Sequence, residues 1–189
     1  MASQFAPPQD TAQLEDLVSR MVSQALEKER ASKTKKIALI AANGTLDWAY
    51  PPLILAATAA SLGWEAGIFF TFYGLNIIHK DKHSALQVAP IANPAMPMPM
   101  PVPNLMGSIP GMTPFASFMM KRKFAGAGVA SIDDLLDIAV ESGVKLFPCA
   151  MTMKVFGYKA EDFIEGSQDI CGAAAFLSYA SDADVTLAF

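Results

Sequence analysis

"KIALIAANGTLDWAYPPLILAATAASLGWEAGIFF", residues 36–70, decides the fold. The apolar run "KIALIAA" reads as a buried strand, and the turn signal "NGTLD" ends it. "WAYPPLILAATAASLG" then reads as a helix. Pro51 and Pro52 are expected in its first turn, where a missing N–H costs little, and Gly63 closes it. "EAGIFFTF" (Glu65–Phe72) is a second apolar strand. Strand, helix and strand at this spacing form a β-α-β unit, and such a unit builds parallel sheet.

The same alternation returns downstream. "SIDDLLDIAVESG" is a helix with Ser131 as N-cap, acids in its first turn and Gly143 at its close. "VKLFPC" is a third strand, "TMKVFGY" and "KAEDFIEG" are short helical pieces, "CGAAAFLSYASDA" is a helix and "DVTLAF" a terminal strand. This order predicts an α/β fold, a three-layer α/β/α sandwich around a mostly parallel sheet. Ahead of it, residues 1–9 read as disordered. From Asp10 to about Lys33, Leu14, Leu17, Val18, Met21, Val22, Ala25 and Leu26 recur every three or four residues. They make the apolar stripe of an amphipathic helix, a docking face against the body or another subunit. The expected organisation is residues 1–34 as a leading segment and 35–189 as one α/β domain.

Residues 84–120 interrupt the pattern. These 37 residues carry no charged side chain, and 8 are proline, with "MPMPMPVPNLMGSIPGM" at the centre. Alternating proline neither propagates a helix nor donates to a central strand, so an extended, polyproline-like insertion is expected. Seven of the 11 methionines fall here. Thioethers are soft ligands for Cu(I), but no Cys or His accompanies them, so no metal site is assigned. The basic flanks "HKDKH" and "KRK" suit peripheral contact with anionic lipid, while the prolines forbid a regular spanning helix. An apolar arm buried by neighbouring subunits accounts best for the segment.

Of the 189 residues, 52% are apolar and 17% charged, where globular chains average about 45–50% and about 25%. The surplus apolar surface points to oligomerisation or a membrane contact. The net charge of −4, without a basic-aromatic pattern, argues against nucleic acid. The polar, acidic start does not read as a signal peptide, and two cysteines are no disulfide framework. A cytoplasmic protein with reduced thiols is the expectation.

Cys149 follows the third strand. In open α/β sheets, ligands bind outside the carboxyl ends of the strands. If "AMTMKVFG" opens a helix, its free N–H groups face the sulfur and favour the thiolate, the reactive form in thiol and persulfide chemistry. Free cysteine is also among the most buried residue types, and packing is the competing reading. Cys171 lies 22 residues on, near another helix start, and reads as core unless the two thiols converge. No CxxC is present, and His79 and His83 share one distant segment, so zinc is disfavoured. Asn43, Gly44 and Thr45 follow the first strand and offer amide groups to an anion such as thiosulfate or a persulfide. Lys154 is placed to support a thiolate if its helix turns it inward. Nothing has the glycine spacing of a dinucleotide site, and no cofactor is expected.

"KLFPCAMTMKVFGYKAEDFIEG" with "DICGAAAFLSYASDADVTLAF", together with residues 35–75 and the Met-Pro core, resembles the DsrE/DsrF-like family, in its branch with a long Met/Pro insertion. The resemblance covers roughly residues 35 to 189. It implies a five-stranded parallel sheet, a homo- or hetero-oligomer, and a cytoplasmic role in sulfur transfer. It also implies that Cys149 accepts sulfane sulfur as a persulfide and exchanges it with a TusA-like carrier or a rhodanese-like protein, as a sulfurtransferase-like carrier. Cys171 matches a second cysteine of this branch and is an accessory thiol. Two alternatives stand beside this reading: a non-catalytic oligomeric or membrane-peripheral adaptor, and a redox protein cycling Cys149 and Cys171.

Overall fold

A computed structural model describes residues 11–89, 109–167 and 169–189. The chain divides into two compact units, Met1–Thr34 and Lys35–Phe189. In the first, helix α1 (Thr11–Ser32) has the anticipated amphipathic spacing, and Arg20 pairs with Asp16 one turn away. The expected disorder of residues 1–9 and the polyproline reading of residues 90–108 lie outside the described residues, as do the arm, lipid and thioether roles considered for that segment.

The second unit is α/β. Its strands are β1 (Lys36–Ala41), β2 (Glu65–Phe70), β3 (Lys145–Pro148) and β4 (Val185–Ala188), in the sheet order β3-β2-β1-β4. Every pairing is parallel. Helix α2 (Leu46–Ser61) crosses from β1 to β2, and α4 (Ile132–Glu141) precedes β3. Helix α5 (Ala150–Phe156) follows β3, and α6 (Ala173–Ala180) leads to β4. Alternation along β1 sends side chains to both faces. Ile37, Leu39 and Ala41 join Leu46, Leu53 and Leu135 in the larger core, while Ala38 joins Phe69, Cys149 and Phe176 in a smaller one under α6. Each large apolar side chain removed from water contributes about 1.5–3 kcal/mol, so the larger cluster dominates stability.

The sheet has four strands among the described residues, not the five expected. Beyond β3 the chain supplies one parallel bridge, Cys149 with Cys171. Pro148 accounts for its brevity. Cys149 N–H bonds inward to the Phe70 carbonyl (2.9 Å), and Ala150 N–H bonds outward to the Cys171 carbonyl (3.0 Å). By alternation the Pro148 nitrogen also faces outward, and it has no hydrogen to extend the ladder.

Two other elements depart from expectation. Helix α2 starts at Leu46 rather than Trp48, so Pro51 and Pro52 fall past its first turn. The earlier start is held by tertiary contacts: Leu46 is fully buried, and its N–H bonds the Gln87 carbonyl at 2.8 Å. Residues 112–120, assigned to the extended insertion, begin helix α3 (Met112–Gly126). Its Phe124 meets the Tyr50 ring edge-on at 4.6 Å, and buried Ser117 accepts from Val88 N–H at 3.0 Å. Helix α4 begins as read, with Ser131 and Asp134 in a reciprocal capping box.

The strand ends are packed backbone against backbone. A Cβ on Gly74 would lie 2.0 Å from the Ala41 carbonyl oxygen, and one on Gly44 would lie 2.2 Å from the Tyr73 carbonyl oxygen. Gly74→Ala is expected to destabilise by about 1–3 kcal/mol in urea denaturation, because the Ala41 carbonyl cannot yield without shifting the end of β1. Gly126→Ala, where nothing lies within 4 Å, is expected to be neutral or slightly stabilising.

Candidate functional site

The site is built where β2 and β3 end side by side. Their register pairs Phe70 with Pro148, so the next residues, Thr71 and Cys149, are neighbours. Cys149 takes extended backbone angles (φ −73°, ψ 112°) and serves as N-cap of α5, so Met151 and Thr152 occupy the second and third helical positions. Those are the positions whose amides lack intrahelical acceptors. Thr152 is 2% exposed, and its Oγ1 lies 3.1 Å from Thr71 Oγ1. Phe72 N–H donates to Thr152 Oγ1 at 3.2 Å. With one lone pair of that oxygen occupied, its proton is free to turn toward the sulfur.

Phe72 is the one non-glycine among the described residues with positive φ (46°). An outlier of this kind costs on the order of 1–3 kcal/mol and persists only where its surroundings fix it. Here the Phe72–Thr152 hydrogen bond and the Gly74–Ala41 contact fix it.

Cys149 is 3% exposed and borders Phe69 and Phe176. Burial by itself raises its thiol pKa. The Thr152 hydroxyl and amide, the Thr71 hydroxyl and the Met151 amide act the other way, and together they leave the thiol below its ordinary value. No side-chain capping bond closes the α5 turn; the donors act on charge at the sulfur. Cys171 is partly exposed, and its thiol is raised by burial, by the Cys149 charge and by Asp169. The two thiols of one site are therefore pushed apart, Cys149 toward thiolate and Cys171 toward thiol.

The remaining sequence candidates take other places. Asn43 Oδ1 accepts from Thr45 N–H at 3.3 Å and so shapes the turn into α2. Gly44 and Thr45 line a cleft of about 550 Å³ with Asn76, Lys82 and Thr113, and Cys149 is not among the lining residues. Lys154 is exposed in the last turn of α5, where a cation complements the helix dipole. Sequence reading missed Thr71 and Thr152. Thr152 was visible as the third residue after a helix-capping cysteine, whereas Thr71 required the strand register.

No group of His, Cys, Asp and Glu among the described residues is arranged to hold a metal ion. No described helix is long and apolar enough to cross a membrane. His79 is buried, with Nδ1 accepting from Asp81 N–H at 3.2 Å and its ring against Tyr158 and Phe163. Burial and the Lys82 ammonium hold His79 below the usual histidine value, against smaller opposing pulls from Asp162 and Asp81.

Thr152→Val is expected to move the pH–rate midpoint for alkylation of Cys149 by a small reagent to higher pH, with Thr152→Ser staying near the parent. An unchanged midpoint in the valine variant would remove the hydroxyl's role. For His79, the unfolded chain takes up its proton before the folded one as pH falls. The stability it contributes is complete above about pH 6.5 and is lost as pH drops from there through the folded-state pKa. Denaturant titrations between pH 8 and 5 should show a steeper loss in the parent than in His79→Phe.

The family model described as the DsrE/DsrF/DrsH-like family matches residues 33–188. The sulfur carrier protein DsrE2 of Allochromatium vinosum is 46% identical over 157 residues, spanning 81% of this chain and 97% of that protein. The uncharacterized protein YrkE of Bacillus subtilis is 29% identical over 159 residues, spanning 82% of this chain and 97% of its own. The match runs through the whole parallel sheet, both cysteines and the described helices of the second unit, and the chain belongs to the DsrE/DsrF/DrsH-like family.

Proposed function

We propose that this protein traffics sulfane sulfur in the cytoplasm, carrying it as a persulfide on Cys149. The observation that carries the reading is where the fold sets one buried sulfur: Cys149 caps α5 beside Thr152 and the strand-end Thr71, and against the raising effect of burial these hydroxyls and the Thr152 and Met151 amides hold its thiol below the ordinary value. The likeness to a protein named as a sulfur carrier supports it.

In the loading step the Cys149 thiolate attacks the outer sulfur of a persulfide donor. A bond forms between Cys149 Sγ and that sulfur, the donor's S–S bond breaks, and the donor thiol leaves with the proton of its persulfide. The product is a persulfide anion, which the same hydroxyl and amide donors stabilise. Transfer to an acceptor repeats the exchange in reverse. No electrons are gained or lost overall, so the cycle needs no cofactor.

The burial of Cys149 means that exchange requires the rim of the site to open or a partner to reach into it. Phe72, Tyr73, Met151 and Val155 are exposed apolar side chains on the segments that flank the sulfur. They are the surface that a TusA-like carrier, a rhodanese-like donor or a second copy of this chain would cover. A second reading, a dithiol redox protein, is favoured by the Cys149–Cys171 bridge.

Incubation of the reduced protein with a persulfide donor should add about 32 Da, one sulfur, to the parent and nothing to Cys149→Ser. Equal loading of the serine variant would end the assignment.

A further inference from the structure

Cys171 has no part in carrying sulfur on Cys149, yet the fold sets it directly alongside. The Cys171 N–H bonds the Pro148 carbonyl at 3.1 Å, and its carbonyl accepts from Ala150 N–H at 3.0 Å. The two cysteines are thus partners in a parallel bridge. Bridge partners on parallel strands project to the same face, with backbones about 4.7–4.9 Å apart. A disulfide spans Cα separations of about 4.4–6.8 Å, a range that includes this strand spacing. Both cysteines border the same apolar cluster of Phe69, Phe147 and Phe176, and both are free thiols.

We propose that Cys171 is the resolving thiol of this site: it attacks Cys149 Sγ when that sulfur carries a leaving group, closing a Cys149–Cys171 disulfide. The inference rests on the reading of Cys149 as the sulfur-bearing nucleophile. When the leaving group is sulfane sulfur, the bond between Cys149 Sγ and that sulfur breaks. The sulfur departs as hydrosulfide with the electron pair and takes up the proton that Cys171 releases. The sulfane sulfur is reduced by two electrons, and the two cysteines are oxidised by one each. A small-molecule thiol resets the pair by attacking the disulfide, and a second equivalent completes the reduction.

The asymmetry of the site sets the direction of reset. Cys171 is the more exposed of the two, so an external thiol meets its sulfur first. Cys149 is then the leaving thiolate, and the donors that lower its pKa make it the better leaving group. The pair would give the protein a second outcome for bound sulfur. Prompt transfer to an acceptor keeps it in the sulfane state, and delay discharges it as hydrosulfide.

The test uses the reduced full chain, Cys171→Ser and Cys171→Ala, followed by intact mass and hydrosulfide release. One arm supplies glutathione persulfide and the other oxidised glutathione. With the persulfide, the parent is expected to gain about 32 Da transiently and then fall about 2 Da below its starting mass, releasing about one hydrosulfide per chain. Both variants should hold the added sulfur on Cys149, with release slowed by about tenfold or more. With oxidised glutathione, the parent should close the same disulfide while the variants stop at the mixed disulfide.

A parent that holds its sulfur as long as the variants overturns the inference, whatever the second arm shows. So does an added sulfur that maps to Cys171. In the first case sulfur carriage on Cys149 stands; in the second it falls with the inference. Disulfide closure by oxidised glutathione with no sulfur uptake from the persulfide would instead remove the carrier reading and keep the resolving pair. No reaction in either arm removes both.

Discussion

The hydrogen bond from Cys149 N–H to the Phe70 carbonyl is the contact on which the site depends. It is the last rung of the β2–β3 ladder, and it holds the register that makes Thr71 a neighbour of Cys149. A slip of one residue would turn Cys149 to the opposite face of the sheet and substitute another side chain for Thr71. Buried Phe70, Ile68 and Leu146 guard against that slip, because each would lose its core contacts together with the rung.

Beyond this rung the chain leaves regular structure on both strands, and the departures are coupled. After β2, Phe72 turns through a positive φ and Gly74 passes within reach of Ala41. After β3, Cys149 turns into α5. The Phe72–Thr152 hydrogen bond joins the two turns. The geometry that stabilises charge on the sulfur is therefore maintained by backbone strain and close glycine packing, not by a nearby cation. Lys154, the one basic residue in α5, lies at the far end of that helix. A neutral cluster of donors suits a group that alternates between thiolate and persulfide anion, since both accept the same hydrogen bonds and neither becomes locked into an ion pair.

Much of the architecture was legible in residue order. Apolar runs marked the strands, Gly63 marked the end of the helix at 46–61, and Ser131 and Gly143 bounded the helix at 132–141. Helix α3 was hidden because Pro110 just before it, Pro114 in its first turn and the absence of charge up to Met120 match the proline-rich run ahead of it. Its stability derives from Phe124 against Tyr50 and from buried Ser117, contacts to residues far off in sequence. The early start of α2 has the same kind of cause, an anchor at Gln87. The truncated fifth strand was foreshadowed by Pro148, but only the alternation of ladder bonds on either side of it shows which edge lacks a donor.

Sequence alone determined that strands and helices alternate, that their sheet is parallel, and that Cys149 stands between a strand and a helix. These follow from local hydrophobic period and turn chemistry. Tertiary structure alone decided that Thr71 and Cys171 flank that sulfur, that Gly44 and Thr45 line a different cleft while Asn43 holds the turn beside it, and that Lys154 faces outward. Register and bridge formation join residues tens of positions apart, and no local pattern encodes which of them meet.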